Sequence, residues 1–143
     1  VGDEQDTREA LMLAAAGSHK RVLLLDDETS ILLPMARYFR GLGCNVDVAR
    51  EPEEAEALVL HRCYDLAILD LCLTRFGGTE GLEVLREIRR LDRKTRVILL
   101  SAYISSEVEE EAWALGADGV LRKPQPLPEL AQLALALMGT SRD

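Results

Sequence analysis

Five residues of this chain have types and spacings that combine into one reaction chemistry: the pair Asp26-Asp27, the single Asp70, Ser101 and Lys123. Each stands at the end of a short apolar run, after Leu25, Leu69, Leu100 and Arg122 respectively. Taken alone, Asp70 reads as a strand terminator or helix cap. Together the residues form a constellation, because a parallel sheet brings all its C-terminal strand ends to one side. Three carboxylates within a few ångströms repel one another by about 1 to 4 kcal/mol per pair. Cations must compensate. Lys123 supplies one positive charge, and Mg²⁺, which takes oxygen ligands and keeps several waters, suits a shallow carboxylate cluster. The competing reading is a salt-bridge network of Lys123 with the aspartates, although one aspartate is enough to pair one lysine. Asp70 has no general base beside it, and a carboxylate, ionised at neutral pH, can attack phosphorus without one. Mg²⁺, the Lys123 ammonium and the Ser101 hydroxyl are the groups that would neutralise the oxygens of a transferred phosphoryl group.

The elements that must position these residues follow from periodicity. Arg21 to Leu25, Tyr64 to Asp70 and Arg96 to Leu100 read as strands buried on both faces. Asn45 to Ala49 alternates polar with apolar residues and is expected at a sheet edge, and Gly119 to Arg122 is a short fifth strand. Helices are expected from Thr29 or Ser30, as the cap, to Arg40, with Pro34 about one turn inside, and from Glu51 to His61 with Ala55, Leu58 and Val59 inward. Further helices are expected over Gly81–Leu91, with Leu82, Val84, Leu85, Ile88 and Leu91 on one apolar face, over Ser106–Leu115 and over Leu127–Met138. Strict alternation of strands and helices predicts an α/β fold: a flavodoxin-like, doubly wound (βα)5 unit with a five-stranded parallel sheet in the order 2-1-3-4-5. The domain reads as residues 20–139, with a tail at 140–143. Residues 1–19 form an N-terminal extension, helical over Thr7–Ala16 or disordered, to which no chemistry is assigned.

Composition narrows the class. A net charge of −8 argues against direct nucleic-acid binding. No run approaches the roughly 20 apolar residues of a membrane span. Asp3, Glu4 and Asp6 occupy the place of a signal peptide's basic region, so a cytoplasmic protein is expected. Cys44, Cys63 and Cys72 have neither disulfide nor zinc spacing and read as reduced, mostly buried thiols. His19 and His61 are isolated.

At the strand ends the chain resembles the receiver domain of two-component response regulators, through Leu23-Leu24-Leu25-Asp26-Asp27-Glu28, Ala67-Ile68-Leu69-Asp70-Leu71, Val97 to Ala102, Gly116 to Gly119 and Lys123-Pro124. The resemblance implies that Asp70 accepts a phosphoryl group from a histidine kinase or histidine phosphotransfer protein, with Mg²⁺ required. It implies that Asp26, Asp27, Asp70 and the backbone carbonyl of Cys72 hold the ion, that Ser101 and Lys123 bind the phosphoryl oxygens, and that small Ala102 leaves room for them. It also implies a cis Lys123–Pro124 bond. Its own phosphorylation and dephosphorylation would be the only reactions catalysed.

Three departures from the family pattern stand out. Thr74 occupies the usual proline position, the loop before Gly81 is longer and carries Gly77-Gly78, and Val120 replaces the usual aromatic switch residue. In the family, the helix from Ser106, the last strand and the last helix form a signalling or dimer face, which here would include Trp113, Val120 and Arg122. Trp113 falls off the apolar stripe of its helix and is expected to be at least partly exposed. Homodimerisation or effector binding through residues 106–138 follows as an expectation. Two rivals compete. One is a degenerate receiver that binds partners without phosphorylation. The other is an aspartyl-nucleophile phosphatase of the haloacid-dehalogenase type, whose second motif aspartate is Cys72 here.

Overall fold

The computed structural model describes residues 19–71, 80–92 and 94–139. Within them, β1 (Arg21–Leu25), β2 (Asn45–Ala49), β3 (Leu66–Asp70), β4 (Arg96–Ser101) and β5 (Gly119–Arg122) alternate with helices. These helices are α1 (Thr29–Gly41), α2 (Pro52–His61), α3 (Glu80–Leu91), α4 (Ser106–Ala114) and α5 (Leu127–Met138). The strands pair in parallel in the order β2-β1-β3-β4-β5. This is the doubly wound arrangement that the alternation predicts.

Side chains that alternate along each strand feed two cores. Val22, Leu24 and Ile98 face α1 and α5, where Phe39 and Leu130 are buried. Leu23, Leu69 and Leu99 face α2, α3 and α4, where Ala55, Leu85 and Ala112 are buried. Every residue of β3 is buried, whereas β2 is buried at only two of its five positions, as an edge strand should be. The strand carrying Asp70 therefore lies at the centre of the sheet, held from both faces.

Three local expectations need correction. Neither Thr29 nor Ser30 caps α1: the cap position is Glu28, whose side chain makes no capping bond. Instead the Glu28 amide donates to Asp26 Oδ1 at 2.9 Å. Leu91 is not part of the buried face of α3, being 40% exposed, because the helix ends there at the rim of a groove it shares with Leu60 of α2. The thiols are not uniformly buried: Cys44 is, but Cys63 is exposed in the connection from α2 to β3, and Cys72 lies outside the described residues.

The far ends of α3, β4 and β5 are joined by a charge network without an evident sequence signal. Arg89 Nη2 and Nε donate to the Gly116 carbonyl at 2.7 and 3.0 Å, and Nη1 donates to the Thr95 carbonyl at 2.6 Å. Asp118 pairs with Arg89 at 3.0 Å and with Arg96 at 3.1 Å, and accepts from the Val97 amide at 2.9 Å. All three side chains are nearly buried, so removing the carboxylate would leave two guanidinium groups with less compensation in a low-dielectric setting. Asp118→Ala is expected to lower unfolding stability by about 3 kcal/mol in urea titrations. Asp118→Asn should lose less, because its amide oxygen can still accept from Val97.

Candidate functional site

Backbone bonds carry the strands past their last paired residues and fix the groups that follow. The Asp26 amide donates to the Ala49 carbonyl at 3.1 Å, the Leu71 amide to Leu100 at 2.8 Å and the Lys123 amide to Ser101 at 2.8 Å. The rim of the sheet is thus rigid where the polar residues emerge.

There the structure gathers the predicted groups. Single carboxylate oxygens of Asp26, Asp27 and Asp70 all lie within 4.8 Å of one another, with Asp26 and Asp70 buried and Asp27 exposed. Lys123 Nζ donates to Asp26 Oδ2 at 2.7 Å and stands 3.2 Å from Asp70 Oδ2. Burial by itself would lower the Lys123 pKa, but its hydrogen bond to Asp26 and the charges of Asp70 and Asp26 outweigh burial and raise it. The stability this gives is complete at neutral pH, persists up to the ordinary lysine range, and fades as pH rises through the higher folded-state value. Lys123 is therefore a fixed cation under physiological conditions.

Ser101 lies beside this cluster on β4 and is buried, yet its hydroxyl turns to its own loop, donating to the Tyr103 carbonyl at 2.7 Å. Ala102 is exposed at the mouth of the site, and the Lys123–Pro124 bond is cis. Cys72, Thr74 and Gly77-Gly78 lie outside the described residues. On the expected partner face, Trp113 is 49% exposed and Arg122 is exposed, whereas Val120 packs in part against the core.

One residue at the site escaped the sequence reading. A Cβ built on Gly81, in the first turn of α3, would come within 2.7 Å of both the Asp70 carbonyl oxygen and the Leu71 Cα. The Gly81 amide also donates to the Leu71 carbonyl at 3.1 Å. The helix start is therefore seated directly on the backbone of Asp70, which only a residue without a side chain permits. A glycine at a helix start ordinarily signals nothing more than a loop end.

Residues 22–135 match the family model of the response regulator receiver domain. The chain belongs to the response regulator receiver family. It is 33% identical to the alginate biosynthesis transcriptional regulatory protein AlgB of Pseudomonas syringae over 125 residues, which is 87% of this chain and 27% of that protein. It is 30% identical to the photosynthetic apparatus regulatory protein RegA of Rhodobacter capsulatus, covering 86% of this chain and 65% of that one. Among solved structures, a CheY-like receiver domain protein from Methanospirillum hungatei is similar with a TM-score of 0.80 at 27% identity, covering 85% of this chain and 95% of that one. A response regulator from Burkholderia pseudomallei, solved with a phosphorylated aspartic acid and a calcium ion, is similar with a TM-score of 0.72 at 28% identity. The match to it covers 81% of this chain and 66% of that one. The rim described above is thus the carboxylate-bearing end of a receiver-domain sheet.

Two effects oppose each other when a methyl group is placed at position 81. Alanine favours a helix over glycine by about 1 kcal/mol, but overpacking against fixed backbone costs typically 1–3 kcal/mol. Because the colliding atoms are backbone, the second effect wins. Gly81→Ala is expected to destabilise the receiver by about 1 kcal/mol net. It should also shift the Asp70 and Leu71 amide resonances, whereas alanine at an exposed position of the same helix should leave them in place.

Proposed function

We propose that Asp70 is the phosphoacceptor of this receiver domain and takes its phosphoryl group from a phosphohistidine on a histidine kinase or phosphotransfer protein. The observation that carries the reading is Lys123 Nζ set between Asp26 at 2.7 Å and Asp70 at 3.2 Å. That contact holds a cation beside the one carboxylate that leads the central strand out of the core. An Asp70 carboxylate oxygen attacks phosphorus, the P–N bond to the donor ring, protonated at its other nitrogen, breaks, and neutral imidazole leaves with the electron pair. Charge on the phosphoryl oxygens grows close to Lys123, which stays an ammonium throughout.

The oxygen-rich group of Asp26, Asp27 and Asp70 suits Mg²⁺, a hard cation with a preference for carboxylate ligands. When bound, Mg²⁺ would neutralise phosphoryl oxygens and offset the mutual repulsion of the three carboxylates. The Ser101 hydroxyl would have to release the Tyr103 carbonyl to reach a phosphoryl oxygen, which links the state of Asp70 to the start of α4. That link leads toward Trp113 and the face expected to meet a second copy or an effector. The reading belongs to a cytoplasmic protein whose only catalysis is its own phosphorylation and dephosphorylation. No helix among the described residues is long and apolar enough to cross a membrane.

Incubation with acetyl phosphate and Mg²⁺ should add one phosphoryl group to the intact mass. The gain should vanish in Asp70→Asn and with EDTA, and should fall at least tenfold in initial rate in Lys123→Ala. Absence of any gain in the unaltered chain would favour a phosphorylation-independent binding module. Sustained turnover of phosphate esters would favour a phosphatase.

A further inference from the structure

A second charged site lies at the opposite end of the strands from the acidic pocket. Arg21 begins β1, Arg40 lies in the last turn of α1 and Arg62 follows α2, and all three line one open cleft with Cys44, Asn45, Val46 and Asp47. The cleft has a volume of about 510 Å³, within the range of small-ligand sites. From Arg21 to Asp26 the chain runs roughly 16 Å at strand rise, so the two sites are separate.

The lining is cationic in a chain whose net charge is −8, with three arginines set against Asp47 in the lining and Asp65 beside it. Two of the guanidinium groups are held in place by bonds that use few of their donors. Arg62 Nη1 donates to both oxygens of Asp47, at 3.1 and 2.9 Å, which leaves Nη2 and Nε out of that contact. Asp47 is held in turn by the Tyr64 hydroxyl, which donates to Oδ2 at 2.6 Å. Arg40 Nη2 donates to the Val46 carbonyl at 2.9 Å. The Arg21 side chain makes no hydrogen bond among the described residues, although its backbone amide donates to Asp65 Oδ2 at 2.9 Å. Arg21 is in register with Asn45 across β1 and β2, so its side chain and the exposed Asn45 amide emerge side by side.

Planar forks arriving from three elements, two of them held by hydrogen bonds, match an oxyanion with several acceptor oxygens better than they match single carboxylates spaced along a peptide. We propose that this cleft binds a small molecule bearing a phosphate or diphosphate group, with Arg21, Arg40 and Arg62 as its donors. Binding there requires neither Mg²⁺ nor Asp70, so it stands apart from the phosphoacceptor reading.

The test is a titration of the isotope-labelled full chain with pyrophosphate, and separately with ADP, in EDTA, following backbone amide resonances. Saturable shifts are expected at Cys44, Asn45 and Val46, weakening as salt is added. Affinity should fall about tenfold in both Arg21→Gln and Arg40→Gln. Arg21→Gln is the safer variant, since its side chain supports no described hydrogen bond. The proposal is overturned by shifts that do not saturate, by shifts centred on Asp26 and Ser101, or by an affinity unchanged in Arg21→Gln. A response to poly-glutamate with none to pyrophosphate would overturn it as well.

Discussion

Charge of one sign crowded at the rim of a parallel sheet is the constraint around which this receiver domain is arranged. Parallel pairing puts every strand's C-terminal end on the same side, and here three of those exits carry Asp26, Asp70 and Lys123. The carboxylates would push one another apart were it not for the ammonium between two of them. Lys123 can do this because its own backbone amide is tied to Ser101, which places the two strand ends at a fixed offset. Backbone pairing and side-chain charge therefore support one another. The ladder sets where the lysine stands, and the lysine makes the carboxylate cluster tolerable in a nearly dry setting.

Opposite ends of the same sheet are treated differently. At the rim, the ionic groups are few, fixed and open to an added cation. At the base, Arg89, Arg96 and Asp118 satisfy one another and nearby carbonyls, which closes that end around the turn from α4 to β5. At the opposite end of α4, Ser101 and Tyr103 share a hydrogen bond and the Ser105 side chain caps the helix. Trp113 sits half-exposed near the C-terminal end of α4.

Sequence alone carried the architecture a long way, for reasons visible in particular residues. Leu66 to Leu69 are apolar without alternation, which only a strand covered on both faces explains, while Asn45 and Asp47 mark an edge. The site was legible because its members stand at strand ends, where local pattern and spatial position coincide. What escaped depended on contacts between distant segments. Gly81 is a helix-start glycine like many others until its approach to the Asp70 carbonyl is known. Arg89 is an ordinary surface charge in a linear reading and Asp118 only one member of a motif, separated from it by 29 residues, and only the approach of α3 to the turn between α4 and β5 brings them together. Leu91 kept the helical period but ran past the core that the period was serving.

The seating of Gly81 has one more consequence. Leu71 is gripped twice through its backbone: its amide by Leu100, and its carbonyl by Gly81. Leu71 and Gly81, which flank residues 72–79, are thus fastened to each other, and Leu71 is fastened to β4 as well. A connection between those roots closes at an entropic cost that grows only slowly with its length, while Leu71, the residue after Asp70, keeps both of its backbone bonds.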